Sequence, residues 1–171
     1  MSQRPAPTVR LFADFDGTVS PTDIGDALLR QFCGERHYHA VLADWHAGRL
    51  SAPQCYHQLF DAIPTLTPPM LDDFLAAYEI DNSFIRFADW CERHAYPLVI
   101  LSDGFDAYIE PLLRKAGVDV TFRANRLRLT DASPVPEFPF FDPSCPQLAN
   151  CKRNHMLLDT QDEDLLVYVG D

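Results

Sequence analysis

Three short apolar runs in this chain each end in a polar signature, and a long stretch with helical periodicity alone separates the first from the second. The runs close on "ADFDGT" (Ala13–Thr18), "LSDG" (Leu101–Gly104) and "YVGD" (Tyr168–Asp171). A short apolar run bounded by turn residues reads as a buried strand. Strands alternating with helices read as a parallel sheet wrapped by helices. In open α/β sheets, ligands bind beyond the carboxyl ends of the strands. The three tips are therefore expected to converge on one site.

The remaining periodicity fills in the order. A strand is expected over Val9–Phe15, then helices over Asp23–Phe32, Tyr38–Ala47, Ala52–Ile63 and Pro68–Tyr78. Ser51 and Thr67 suit N-caps, and Pro53 and Pro68 fall in first turns, where a missing N–H does no harm. A helix over Ser83–His94 leads to a strand over Pro97–Asp103, followed by a helix over Phe105–Ala116 that Gly117 stops. Two β segments, Asp119–Ala124 and Arg126–Thr130, a proline-rich loop over Ser133–Pro146, a helix from near Cys151 and a strand over Asp164–Asp171 complete the chain. This order divides it into a discontinuous α/β core, 1–19 with 83–171, and a helical lobe, 20–82.

A chain of 171 residues can bury one sizeable core. Its net charge of −11 argues against a nucleic-acid partner, since a polyanion is repelled on average. A small phosphate ester is not excluded, because one local cation suffices to bind it. The N-terminus "MSQRPAPTVR" lacks an apolar core segment, and no apolar run is long enough for a bilayer, so no membrane association is expected and the chain reads as cytoplasmic. Five cysteines without a CxxC pair suit reduced thiols. Cys145, Cys151 and His155 lack regular spacing and a fourth ligand, and read as ordinary side chains rather than a zinc site.

At the strand tips, Asp14, Asp16 and Asp171 bring carboxylates together, and Ser102 adds a hydroxyl. An oxygen-rich pocket of this kind suits a hard cation, Mg²⁺. Lys152 opens the helix before the last strand, a position where the lysine charge and free amides both favour anions. Together with Ser102 and the main chain of Asp103 and Gly104, these groups make a cradle for a phosphoryl group. Asp14 can attack phosphorus, while Asp16 can protonate the leaving oxygen and later deprotonate water. Crowding by a second carboxylate raises the pKa that this second role requires. Taken singly, each residue has a bland reading as turn, cap or solvated charge, and their joint order is what points to chemistry. The histidines read as surface or interlobe residues, and Phe138, Phe140 and Phe141 as core packing.

These signatures resemble those of the haloacid dehalogenase superfamily of phosphohydrolases. "DFDGT" resembles the first motif, which implies Asp14 as nucleophile and Asp16 as acid/base with its main-chain carbonyl on the metal. "VILSDG" resembles the second and implies a phosphoryl-binding Ser102. "NCKRN" resembles the third, with Lys152, and "VYVGD" the start of the fourth, with Asp171 as a metal-binding acid. The resemblance implies a Rossmann-like sheet with helices on both faces and an inserted all-helical cap, similar to the phosphoserine phosphatase-like branch. Within it, "SDGFDAYIEPLL", "RANRL" and "SPTDIGDALL" are similar to the enol-phosphate phosphatases of methionine salvage, which places Asp23 facing the leaving group from the cap. The implied activity is Mg²⁺-dependent hydrolysis of a small phosphorylated metabolite. A phosphotransferase or mutase, and a non-catalytic phosphate-ester-binding protein, remain as alternatives. The fourth signature stops at Asp171, where the family's pattern continues, so the last strand is expected to leave a bare sheet edge that invites association, a homodimer for instance.

Overall fold

The computed structural model describes residues 8–130 and 132–170. In chain order these form β1 (Val9–Ala13), α1 (Ile24–Cys33), α2 (Glu35–His46), α3 (Ala52–Asp61), α4 (Pro68–Leu75), α5 (Asn82–Arg93), β2 (Leu98–Phe105), α6 (Asp106–Lys115), β3 (Thr121–Arg128), β4 (Val135–Glu137), α7 (Lys152–Asp159) and β5 (Leu165–Val169).

Local chemistry sets the starts of α1, α3 and α4 where the pattern places them, whereas α2 begins at Glu35, ahead of the expected Tyr38. Asp23 caps α1 by accepting from the Asp26 amide. Ser51 and Gln54 form a reciprocal capping box on α3, and Thr67 caps α4 through the Met70 amide. Apolar residues at helical spacing then turn inward. Ile24, Leu28, Leu59, Phe60, Ile63 and Leu66 are fully buried, in one core with Phe15, Phe105 and Ile109.

The five strands pair in the order β4-β3-β2-β1-β5. β1 lies parallel to both β2 and β5, and β2 parallel to β3. Ala13 stands opposite Ile100 on one side and Val169 on the other, so Asp14, Ser102 and the end of β5 emerge at the same level of the sheet. The chain builds outward from β1 through β2 to β3 and then returns to β1's other side with β5. That reversal is where open α/β sheets place a ligand crevice.

The structure corrects the expected elements in three places. The two β segments after α6 are one strand, β3, unbroken at Asn125. The proline-rich loop contains β4, which pairs antiparallel to β3 through Arg128 and Val135, so the sheet is mixed. β2 runs past Asp103 to Phe105, because a register shift between Leu101 and Phe105 carries the strand on without regular pairing. Such a bulge re-aims side chains beside a site.

β5 is apolar yet exposed at every residue, with Leu165 60% accessible. Its main packing is against β1. No helix among the described residues is long and apolar enough to cross a membrane.

Candidate active site

A cavity of about 300 Å³ opens above the ends of β1 and β2. Its floor is acidic, with Asp14, Asp16, Asp23 and Asp103. Its wall is apolar and comes from α1, α2 and α3 through Leu29, Leu42, Trp45 and Leu59. Lys152 is the one basic group among the described residues lining it.

Asp14 leaves the sheet directly after β1, its amide donating to the Val169 carbonyl at 2.8 Å. The Lys152 ammonium stands 2.5 Å from Asp14 Oδ2, while Oδ1 accepts from the Phe15 amide at 2.7 Å. Lys152 Nζ also lies 3.5 Å from the Tyr168 hydroxyl. Burial disfavours the Lys152 ammonium, but the bond and charge of Asp14 outweigh it and hold the lysine above its ordinary pKa.

Three residues after Asp14, Gly17 turns the chain with φ of 77°, a conformation that favours glycine. The Asp16 carboxyl is thereby held against three elements. Oδ1 accepts from the Ile24 amide at 2.8 Å, at the start of α1. Oδ2 accepts from the Tyr108 hydroxyl of α6 at 3.0 Å and from Ser102 of β2 at 3.5 Å. Burial, and next the charge of Asp23, push the Asp16 pKa up to about 6 against these hydrogen bonds. Tyr108 is buried, and burial followed by the Asp16 charge keeps its hydroxyl protonated far into the alkaline range.

Ser102 is 1% exposed, and its hydroxyl also accepts from the Gly104 amide at 2.9 Å. The main chain of Asp103 is the part expected at the phosphate, and its carboxyl accepts from the Asn150 main-chain amide at 2.5 Å. It thus anchors the segment that carries Lys152. Burial raises its pKa to about 7 in spite of that bond. An acid whose pKa rises on folding stabilises the fold fully below its unfolded value and loses that contribution as pH rises. For Asp103 the window runs from 3.8 to about 7. Asp103→Asn is expected to flatten the decline of melting temperature across that window, by up to roughly 4 kcal/mol in stability. An unchanged slope in a pH series of thermal melts contradicts this.

Asn150, fully buried, is the hub that sequence reasoning did not assign. Its side-chain Nδ2 donates to the Ser102 carbonyl at 2.8 Å and the Arg123 carbonyl at 3.2 Å. Its Oδ1 lies 2.6 Å from His155 Nε2. Arg123 donates to His155 Nδ1 at 3.1 Å, so the ring proton sits on Nε2 and donates to Asn150. Arg123 is in turn paired with Asp159 at 2.7 Å. His155 is therefore a buried link between α7 and the sheet, not a surface side chain, and burial with the Arg123 charge lowers its pKa. Asn150→Ala would leave three buried groups unpaired, and a stability loss of about 3 kcal/mol is expected from chemical denaturation.

Near this hub, Cys145 and Cys151 place their sulfurs 4.0 Å apart, with Asp142 beside them and His155 turned away to Asn150. Phe138 stacks on Tyr56 of α3 at 5.9 Å and meets Phe105 of β2 at 6.2 Å, joining helix to sheet as packing. Phe140 is 38% exposed against His155, outside the core. Asp23 does line the cavity, while its Oδ1 accepts from the Asp26 amide at 2.7 Å. Asp171, the expected metal acid, lies outside the described residues. Sequence reasoning misses Tyr108 and Asn150 because buried polar groups at core spacing look like packing until their partners are known.

The chain belongs to the haloacid dehalogenase-like hydrolases, whose family model matches residues 11–171. Among curated proteins it is similar to 2-hydroxy-3-keto-5-methylthiopentenyl-1-phosphate phosphatases. It is 31% identical to that of Geobacillus thermodenitrificans over 104 residues, 60% of this chain and 47% of that protein. The Exiguobacterium sibiricum protein is 25% identical over 96% of this chain and 76% of its own length. The chain thus spans about half the length of the first of these relatives. Among solved structures, a substrate-bound phosphoserine phosphatase superposes with a TM-score of 0.71 at 15% identity, over 97% of this chain and 80% of that one. A phospho-aspartyl intermediate analogue of phosphoserine phosphatase gives 0.70 at 16%, over 96% and 79%. At such identities the likeness is one of fold.

Proposed function

We propose that this chain is a Mg²⁺-dependent phosphomonoesterase that works through an aspartyl-phosphate on Asp14, with residues 20–82 acting as its cap. The observation that carries the reading is the pairing of a lysine-held carboxylate, Asp14, with a second carboxyl two residues on whose pKa is raised to about 6. The two acids are thus divided into a lysine-paired nucleophile and a proton carrier.

Lys152 holds Asp14 at one oxygen and offers the cation that an incoming phosphoryl group needs. Asp14 attacks phosphorus, the ester oxygen departs, and Asp16 gives it a proton. Asp16 then takes a proton from the water that attacks the acyl phosphate. The Ser102 hydroxyl supplies a donor to the phosphoryl oxygens, with its oxygen held by the Gly104 amide at 2.9 Å. The floor around Asp14 offers carboxylate, carbonyl and hydroxyl oxygens with a surplus of negative charge, a donor set that fits Mg²⁺. Asp14 and the Asp16 carbonyl would hold the ion, together with Asp171 by resemblance. Bound there, Mg²⁺ supplies positive charge that offsets the phosphoryl oxygens.

The apolar wall of Leu29, Leu42, Trp45 and Leu59 supports an ester of a short uncharged carbon chain. The substrate for which those relatives are named, 2-hydroxy-3-keto-5-methylthiopentenyl-1-phosphate, is of this kind. Free cysteines are consistent with a reducing, cytoplasmic setting.

The test is phosphate release from a panel of small esters, with Mg²⁺ and with chelator. Metal-dependent release, fastest from uncharged-chain esters, is expected. Binding of esters by folded protein without release would replace the phosphatase by a phosphate-ester-binding protein.

A further inference from the structure

Asp16 is asked to protonate an ester oxygen, and a carboxyl does so only when its plane is held towards that oxygen. The Ile24 amide fixes Oδ1. The groups on Oδ2 are unequal, with Ser102 at 3.5 Å and Tyr108 at 3.0 Å. Ser102 has a single hydroxyl proton, which is assigned to the phosphoryl group, and its contact with Asp16 is the longer of the two. Tyr108 is therefore the donor that fixes the second oxygen.

The surroundings are shaped for this hydroxyl. A Cβ on Gly104 would fall 1.7 Å from Tyr108 Oη and 2.9 Å from Asp16 Oδ2. A Cβ on Gly25 would fall 3.0 Å from the same Oη. Two residues without side chains, one in β2 and one in α1, thus leave the space in which the phenol reaches the carboxyl. The ring is seated in the core, 1% exposed and 6.0 Å from Phe15. A buried ring of this kind has little rotamer freedom, so its hydroxyl is a fixed point.

We propose that Tyr108 is the positioning residue for Asp16, holding its carboxyl in the orientation from which the leaving oxygen is protonated. This rests on the phosphatase reading and adds to it the residue that aims the acid.

The test separates aim from stability by leaving group. The ratio kcat/KM reports steps up to departure of the alcohol, not hydrolysis of the acyl phosphate. Butyl phosphate needs a proton at that step, whereas 4-nitrophenyl phosphate leaves as a stable phenolate and needs far less help. In Tyr108→Phe, kcat/KM for butyl phosphate is expected to fall about tenfold more than for 4-nitrophenyl phosphate, the worth of one hydrogen bond. Equal falls for both esters, or none, would overturn the proposal. If Tyr108→Phe fails to fold in thermal melts, Gly25→Ala replaces it; its Cβ, 3.0 Å from the hydroxyl, shifts that hydroxyl by a few tenths of an ångström relative to Asp16, and a smaller differential of the same sign is expected. Asp14→Asn is measured alongside. Activity surviving in that variant would locate the failure in the phosphatase reading and not in Tyr108.

Discussion

Asp14→Asn is expected to lower phosphate release by at least about 10³-fold, while the protein stays folded. The amide isostere fills the same space but is a far poorer nucleophile than a carboxylate. A loss of that size corresponds to about 4 kcal/mol of barrier. The fold should survive, because removing one charge relieves the crowding of Asp14, Asp16 and Asp103 on one floor. The Phe15 amide keeps an oxygen partner as well, at the position where Asp14 Oδ1 now accepts. The check is steady-state release together with a thermal melt. Retained activity in Asp14→Asn would remove the nucleophile from the account.

Asp16→Asn carries the second large effect, a fall of about 10²- to 10⁴-fold. The loss should be greatest for alkyl esters and least for esters with good leaving groups, since the missing function is proton transfer. Metal affinity by calorimetric titration is expected to persist, because the contribution assigned to Asp16 is its main-chain carbonyl. Loss of Mg²⁺ binding would show that the side chain holds the ion and would reverse the division of labour. The pKa near 6 supports the assignment. It arises from burial and from Asp23, and both depend on α1 packing over the sheet end.

Much of the fold is legible in the sequence itself. Apolar runs ending in "ADFDGT" and "LSDG" mark β1 and β2, because a strand that finishes in turn and acid residues has few other uses. The caps at Ser51 and Thr67 are legible for the same reason, as their chemistry is local. Residues that act through distant partners are harder to read. β4 hides among prolines because its pairing is with Arg126–Arg128, information that no window around Val135 contains. Asn125 gives no sign that β3 continues through it, since the partner of its side-chain Nδ2 is the Asp103 carbonyl, 2.7 Å away and distant in sequence.

The site divides along the same line. Asp14, Asp16, Ser102 and Lys152 are recognisable by order and spacing; Asp14, Asp16 and Lys152 line one cavity, and the Ser102 hydroxyl lies 3.5 Å from Asp16 Oδ2. Asp103 is expected at the phosphate through its main chain, and the bond of its carboxyl to the Asn150 main-chain amide is something a signature containing "SDG" does not reveal. Asn150 sits beside Lys152 in "NCKRN", yet its three bonds run to Ser102, Arg123 and His155, far off in sequence or on the next helical turn. Tyr108 lies at core spacing on α6, and its hydroxyl acquires meaning only when β1 brings Asp16 within 3.0 Å.

The most direct measurement is chemical trapping of the acyl phosphate. Protein quenched in acid during turnover would be reduced with borohydride, digested, and the Asp14 peptide read by mass spectrometry. The account predicts conversion of Asp14 to homoserine in the presence of substrate and Mg²⁺, and none without substrate. Phosphate release with no modification of Asp14, or with modification at another residue, would contradict it.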